Sequence, residues 1–182
     1  MANFVIDLAP LRKSRDFSLL WAAGLISYFG SMITYVAVPF QVKELTGSYV
    51  AVAISGLVEI VPLIIFGLYG GVLADALDRK KLIWVTELLS LLFTAILLIN
   101  SMMDSPSLLL IYIVSGLFAA TSGLRQPAMQ AALPRLVDHE DMTAAAALMS
   151  LRWQIGVIVG PAIGGVLIST YSVAVGYAAD IA

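Results

Sequence analysis

The sequence predicts an all-α membrane protein with five complete transmembrane helices and the start of a sixth. Hydrophobic residues make up 60% of its 182 residues and charged residues only 12%, and the mean hydropathy is +0.97. A soluble domain of this size carries about 25% charged residues. Five apolar runs reach the roughly 20 residues that a helix needs to cross about 30 Å of hydrocarbon. The chain therefore belongs in a bilayer, where helices satisfy their own backbone hydrogen bonds.

The positions of the apolar runs predict the helices. An N-terminal segment, residues 1–16, precedes a bundle that occupies residues 17–182. The runs cover residues 17–42, 49–74, 82–103, 108–128 and 143–170, and a partial sixth helix covers 171–182. This last segment would form only about 18 Å of helix, which is too short to cross a bilayer. We therefore expect the sixth helix to be incomplete.

The distribution of Lys and Arg predicts the orientation in the membrane. Most positive charges flank helix ends that would share one face: Arg12, Lys13, Arg15, Arg79, Lys80, Lys81 and Arg135. The opposite face carries only Lys43. Because short cytoplasmic loops are enriched in Lys and Arg, we expect the N-terminus to be cytoplasmic.

Several kinds of chemistry lack the residues that they need. The chain has no cysteine, which excludes disulfides and thiolate metal sites. Its one histidine, His139, lies among Asp138, Glu140 and Asp141, directly before the fifth helix; capping of that helix explains the cluster better than a metal site. The sequence contains no phosphate-binding loop and no intramembrane catalytic dyad. We expect no enzymatic activity, no metal, no cofactor and no nucleic-acid partner.

One face of the first helix carries small and polar residues. They recur at steps of three and four, which places them on one stripe: Gly24, Ser27, Tyr28, Ser31, Thr34 and Tyr35. Small and hydroxyl residues serve as helix contacts in membranes, but such a stripe can also line a water-filled pathway. Both interpretations stay open at this point.

Two charged residues lie deep in the predicted spans. Glu59 is about 15 Å into the second helix, and Arg152 is about 13 Å into the fifth, counted from the other face. A charge at such depth costs roughly 2.5–3.5 kcal/mol on insertion scales and usually faces a cavity or a partner. We therefore expect these two residues to take part in proton coupling or substrate binding, and to be candidates for an ion pair. A structural ion pair, or a protonated packing carboxyl at Glu59, is the alternative.

A second pair of opposite charges lies nearer the predicted cytoplasmic face. Glu87 is about 8 Å into the third helix, and Arg125 approaches the same end of the fourth. We expect these two residues to form a structural ion pair, because opposite charges can neutralise each other there.

The fifth helix carries a run of glycines. Gly156, Gly160 and Gly164 recur at four-residue steps, with Pro161 and Gly165 beside them. Such glycines form a groove into which another helix fits closely, and the proline removes one backbone donor and favours a kink. In a half bundle we expect this groove to be exposed and to promote association.

Two of these segments resemble signatures of the major facilitator superfamily. Between its second and third helices the superfamily has Gly-x-Leu-Ala-Asp-Arg-x-Gly-Arg-Lys; here Gly71, Leu73, Ala74, Asp75, Arg79 and Lys80 match, and Ala76 and Asp78 depart. The run at 156–165 is similar to the Gly-x-x-x-Gly-Pro-x-x-Gly-Gly signature of drug antiporters. Residues 125–134 resemble the branch of enterobactin-type and macrolide-type exporters.

The resemblance implies the N-terminal six-helix half of a major facilitator fold in a bacterial inner membrane. It implies a secondary active, proton-coupled exporter of a small molecule of drug or siderophore type, with Gly71, Asp75, Arg79 and Lys80 in a gating loop. The implied partners are the lipid bilayer, a small-molecule substrate, protons, and either the missing C-terminal half or a second copy of the chain. The alternative is a truncated, non-transporting scaffold or a half-transporter that needs a partner chain.

Overall fold

The computed structural model describes residues 7–182, apart from the side chain of Asp75. The elements in this range are all helical: α1 is Ala9–Lys13, α2 Arg15–Thr46, α3 Tyr49–Ala76, α4 Arg79–Ser101, α5 Leu108–Ala132, α6 Met142–Thr170 and α7 Val173–Ile181, with short 3-10 turns at Leu133–Arg135 and His139–Asp141. Helices α2 to α6 are each long and apolar enough to cross a membrane. This confirms the predicted fold class.

Polar caps, which hydropathy does not detect, set the ends of the helices. Helix α2 starts after Ser14, whose Oγ accepts a hydrogen bond from the backbone N–H of Phe17 at 3.2 Å. It ends at Gly47, which has a φ of 65°, a conformation that glycine adopts without strain. Helix α2 therefore extends beyond the predicted run at both ends. Ser48 and Ser107 cap α3 and α5 in the same way as Ser14.

The charged stretch from 71 to 81 is mostly helical. Helix α3 continues through Ala76 and α4 begins at Arg79, so only Leu77 and Asp78 lie between them. Asp78 caps α4, because its Oδ1 accepts from the backbone N–H groups of Lys80 at 2.9 Å and Lys81 at 3.5 Å. Asp78, one of the two residues that depart from the superfamily pattern, thus caps a helix at a tight corner.

The helices form two tightly packed sets. Helix α2 packs against α6 and α7, whereas α3 and α4 both pack against α5; contacts of α2 with α3 and of α4 with α7 join the sets. Glycines allow the close approach of α3 and α5. A Cβ added at Gly123 would lie 2.7 Å from the carbonyl oxygen of Leu63, and one at Gly116 would lie 3.2 Å from that of Val58. These two glycines were not among the predicted packing residues.

The glycine groove of α6 is filled by α2. Added Cβ atoms at Gly156, Gly160 and Gly164 would lie 2.0 Å from the ring of Tyr28, 2.4 Å from Cβ of Met32 and 3.1 Å from Cα of Ile33. The expectation of an exposed groove is therefore wrong, since the first spanning helix covers it. Gly165 has no atom within 4 Å of an added Cβ, so it takes no part in this contact. Helix α6 continues through Pro161 as one element.

Two apolar clusters fasten α2 at its two ends. One lies near its C-terminal end: Ala37, Val38, Val42, Leu97, Ile111, Val114, Ile168, Val173 and Tyr177. The other contains Phe17, Leu133, Ala145 and Leu148. Both bury helix faces that hydrophobic contact and dispersion hold together. Both ends of α2 are thereby held against its neighbours.

Candidate translocation cavity

A large cavity lies among α2, α3, α4, α5 and α6. Its volume is about 1230 Å³, somewhat more than the roughly 300–1,000 Å³ of a pocket for a drug-sized ligand. Much of the wall is apolar and aromatic, and its charged residues are Asp16, Glu59, Asp78, Arg79, Lys80, Glu87, Arg125, Arg135 and Arg152. The space suits a small organic molecule that carries polar groups.

The polar stripe of α2 forms one wall of this cavity. All six of its residues line the space: Gly24, Ser27, Tyr28, Ser31, Thr34 and Tyr35. Ile33, on another face of the helix, packs against α6. Tyr28 does both, because its ring lies against Gly156 and also borders the cavity. Packing and cavity lining, which the sequence left open, are therefore both present along this helix.

Arg152 lies in the wall without partners for two of its nitrogens. Only 8% of the residue is exposed, and its Nε and Nη1 atoms are buried with no hydrogen-bond acceptor among the described residues. Its guanidinium lies over Gly24, where an added Cβ would be 2.1 Å from Nη1. The same side chain also borders a second cavity of about 450 Å³. An unsatisfied buried donor costs about 1–3 kcal/mol, and more for a charged group, so this cation is available to an acceptor that enters the cavity.

Glu59 faces the cavity from α3. It is half-buried, and within the described part of the chain it makes neither a hydrogen bond nor an ion pair. The expected ion pair with Arg152 is therefore not formed. The sequence predicts a similar depth for the two residues, but they project from α3 and α6, two helices with different main packing partners, α5 and α2.

Glu87 and Arg125 form an ion pair across α4 and α5. Nη1 of Arg125 donates to Oε2 of Glu87, and the two side chains are 14% and 29% exposed for Arg125 and Glu87 respectively. Ser90 and Thr121 exchange a hydrogen bond of 2.9 Å between the same helices. These contacts hold two walls of the cavity together, and the pair adds no net charge to it.

The residues of the predicted gating loop are spread around the α3–α4 corner. Arg79 ties three helices together: its Nε donates to the carbonyl oxygen of Ala74 at 3.1 Å and its Nη1 to that of Ala131 at 2.8 Å. Lys80 is exposed, and a Cβ added at Gly71 would meet nothing within 4 Å. The side chain of Asp75 lies outside the described residues.

A half-buried carboxyl on α7, that of Asp180, was not predicted from the sequence. Oδ2 of Asp180 accepts hydrogen bonds from the hydroxyl groups of Thr34 at 2.5 Å and Thr94 at 2.9 Å. One turn earlier, the hydroxyl of Tyr177 donates to Oε1 of Gln41 at 2.8 Å. Helix α7 is thus held to α2 and α4 by polar contacts at two levels. The available signal was an acid in an otherwise apolar segment.

The acidic cluster before α6 forms an ion pair with the N-terminal segment, through Asp141 and Lys13. Neither Asp138 nor Asp141 makes the expected side-chain cap. Asp141 instead accepts from Nζ of Lys13 at 2.9 Å. This hydrogen bond, together with the charge of Asp141, raises the pKa of Lys13. Within residues 7–182, apart from the side chain of Asp75, no group of three or more His, Cys, Asp or Glu side chains could hold a metal ion.

Comparisons with known proteins agree with the geometry. A family model described as a transmembrane secretion effector matches residues 5–182. Curated relatives named enterobactin exporter EntS, from Citrobacter koseri, Shigella boydii and Salmonella choleraesuis, are 32%, 33% and 32% identical to this chain over 178 residues. The alignments cover 96% of this chain and 42% of each relative, so the chain spans less than half of their length. No solved structure matches.

A helical membrane bundle with a large cavity, a charged corner between α3 and α4 and a glycine groove in α6 defines the N-terminal half of a major facilitator superfamily transporter. Within that superfamily, the chain belongs to the transmembrane secretion effector family. It is a multi-pass membrane protein, and the resemblance seen in the sequence is confirmed.

Proposed function

We propose that the chain is the N-terminal half of a proton-coupled exporter of a small organic molecule. The observation that carries the proposal is the cavity of about 1230 Å³, whose wall includes Arg152 with two buried nitrogens that lack acceptors. Relatives named as exporters support outward transport. Because the chain spans 42% of those relatives, the complete activity needs a further half or a second copy of the chain.

Glu59 and Arg152 are the proposed coupling residues. Both border the cavity, and neither forms an ion pair in the described part of the chain. Arg152 can donate to an acceptor on the substrate, since charge-assisted hydrogen bonds are among the stronger polar contacts. Glu59 is a carboxyl that can exchange a proton with water in the cavity. A siderophore or drug-like substrate fits the size and mixed lining of the space.

The α3–α4 corner is proposed to act as a gate, with Gly71, Asp75, Arg79 and Lys80 as its residues. What supports this role is the bridging position of Arg79, which bonds to backbone carbonyls at the ends of α3 and α5. Movement of α5 relative to α3 would break at least one of these bonds. The hydrogen bonds of Arg79 therefore depend on the relative position of α3 and α5, which are two walls of the cavity.

The proposed location is the bacterial inner membrane, with the N-terminus in the cytoplasm. The excess of Lys and Arg on one face supports this orientation. The absence of cysteine allows single cysteines to report it, at Ser14→Cys on the N-terminal face and at Ser48→Cys on the other. We expect a membrane-impermeant maleimide added to intact spheroplasts to label only Ser48→Cys. Labelling of Ser14→Cys alone would show that the orientation is the opposite of the proposed one.

The function is tested with the product of the gene's complete reading frame in everted membrane vesicles. The probes are ethidium, which is cationic, and carboxyfluorescein, which is anionic. We expect respiration to drive uptake of at least one dye into the vesicles and a protonophore to abolish it. Vesicles with Lys43→Gln, a substitution outside the cavity lining, serve as the control for expression.

Two results would argue against the proposal. Dye accumulation that persists after the proton gradient has collapsed excludes proton coupling but leaves transport intact. Failure to move either dye, combined with an unchanged set of exported metabolites in a deletion strain, would favour the non-transporting scaffold.

A further inference from the structure

Asp180 is held at the junction of three helices. Its Oδ2 accepts hydrogen bonds from Thr34 on α2 and Thr94 on α4, and each threonine is only 1% exposed. Both donors converge on the same oxygen. The carboxyl therefore joins α7 to α2 and α4 through a single atom.

Close packing against Gly30 holds the carboxyl in place. A Cβ added at Gly30 would lie 2.2 Å from Oδ1 of Asp180 and 3.0 Å from its backbone oxygen. Only glycine leaves room for the carboxyl at this position of α2. Residues of α2 and α4 therefore shape the site around the carboxyl, by packing at Gly30 and by hydrogen bonds from Thr34 and Thr94.

No cation neutralises Asp180 in the described part of the chain. On α4 and α5 the nearby charges are Glu87 and Arg125, which pair with each other and act on Asp180 with opposite signs. Arg152 is the one ionisable residue of α6, and on α7 itself Tyr177 bonds to Gln41. The ionisable residues of α2 are Arg15, Asp16, Tyr28, Tyr35, Lys43 and Glu44. Only hydroxyl groups bond to the carboxyl.

Both protonation states of this carboxyl have a suitable environment. The charged form receives two hydroxyl donors, which favour it. The neutral form avoids the cost of keeping a charge among apolar helices. When the carboxyl is neutral, the two threonine hydroxyls can rotate and donate to carbonyl oxygens of their own helices, as threonines in helices commonly do. Protonation therefore weakens the contact of α7 with Thr34 and Thr94, while the hydrogen bond of Tyr177 to Gln41 still holds α7 to α2.

We propose that Asp180 binds and releases the proton of the export cycle, and that protonation frees α7 from Thr34 and Thr94. A proton from water adds to a carboxylate oxygen to give a neutral carboxylic acid, and the reverse step returns it to water. Thr34, which bonds to Asp180, also borders the cavity, so the carboxyl lies one side chain away from the cavity wall. This inference rests on the proposed proton-coupled export, and it adds a second carboxyl to Glu59.

Infrared titration tests proton binding without a substrate. The complete reading-frame product is placed in lipid, and the carbonyl stretch of protonated carboxyl groups is recorded as pH is varied. We expect a pH-dependent component of this band in the native protein and in the control Lys43→Gln, which lies outside the cavity lining. That component should be lost in Asp180→Asn, which keeps the size and the acceptor oxygen. An unchanged band in Asp180→Asn would overturn the proposal.

Transport of whichever dye the protein exports provides the second test. We expect Asp180→Asn to retain downhill movement of the dye but to lose uphill accumulation. Thr94→Val should shift the pH dependence of accumulation, whereas Thr94→Ser, which keeps the hydroxyl, should not. Uphill accumulation by Asp180→Asn, or dependence on sodium in place of protons, would overturn the assignment. If the native protein exports neither dye and a deletion strain exports an unchanged set of metabolites, the proposed function fails, and the infrared result still decides whether Asp180 binds a proton.

Discussion

Two arginines line the same cavity but differ in what surrounds them. Arg125 pairs with Glu87 across α4 and α5. Arg152, on α6, keeps two buried nitrogens without an acceptor in the described part of the chain. The comparison separates two settings of a charge inside a membrane protein: Arg125 stabilises the contact between helices, whereas two donors of Arg152 find no acceptor in the described part of the chain.

Packing explains how the unpaired charge is kept in place. Arg152 lies over Gly24 and close to Met129, and the groove of α6 brings α2 to within contact distance along three glycines. The stability that this groove supplies offsets the cost of the unsatisfied donors. Removing each arginine should therefore have opposite consequences for stability and transport.

The largest effect on stability is expected for Arg125→Gln. This change leaves Glu87 without its partner, and removal of one member of a buried pair costs up to about 3–5 kcal/mol. Because both side chains border the cavity and are partly exposed, we expect a loss of about 1–3 kcal/mol. Thermal unfolding of the purified protein in detergent measures it.

A double-variant cycle supplies the control for this pair. Glu87→Gln combined with Arg125→Gln removes both charges, and we expect its unfolding temperature to recover most of the way to that of the native protein. A loss in the double variant equal to the sum of the two single-variant losses would mean that the two residues do not stabilise each other.

The next largest effect is expected for Arg152→Gln, and it falls on transport. Loss of a charge-assisted hydrogen bond of about 1.5–3 kcal/mol should raise the substrate concentration for half-maximal export by about tenfold or more. The unfolding temperature should not fall, because an unsatisfied buried charge is removed. Everted vesicles measure the first quantity and thermal unfolding the second.

The matched variant is Arg152→Lys, which keeps the charge but loses the planar fork. Its export should lie between the native protein and Arg152→Gln. A drop in unfolding temperature for Arg152→Gln, with unchanged export, would assign Arg152 to the fold and end the contrast with Arg125.

A smaller effect is expected when Arg152 is moved and not removed. In Gly24→Ala the new Cβ would lie 2.1 Å from Nη1, so the flexible end of the side chain must shift. We expect a roughly threefold change in half-maximal substrate concentration and little change in stability. Gly165→Ala is the control, because its Cβ would meet nothing within 4 Å and the residue lies outside the cavity lining. The same half-maximal substrate concentration in both variants would show that the position of the Arg152 side chain does not affect export.

The helices could be predicted because hydropathy depends only on the order of residues along the chain and not on contacts between helices. A run of apolar residues needs only length to cross a bilayer, so all five spans were found. Their ends were less accurate, because caps such as Ser14 and Asp78 depend on single side chains. The same approach placed the stripe of α2 on one face, since that stripe repeats with the period of a helix.

The contacts within the site were harder to predict because they require the arrangement of helices around one another. Glu59 and Arg152 have a similar predicted depth, yet they project from helices with different main packing partners. Asp180 lies in a segment too short to be recognised as a full span, and its importance depends on Thr34 and Thr94, which are distant in sequence. The groove of α6 was visible, but the helix that fills it was not.

The ion pair of Lys13 with Asp141 gives the smallest effect, because it lies at the surface. Lys13 contacts Asp141 with 58% of its side chain exposed, and solvent and salt weaken such pairs. The pKa of Lys13 is raised by this contact, so its contribution is complete below the ordinary lysine pKa of about 10.4 and is lost as pH rises through the value in the folded protein. Spin labels at Arg12→Cys and Glu140→Cys should report one distance at neutral pH and a broader distribution above that range. The control Lys13→Gln should show the broader distribution at both pH values. If the distance does not change with pH, hydrophobic contact of Leu11 with the adjoining cluster is sufficient to hold α1, and the exposed pair differs from Glu87–Arg125 in contributing nothing.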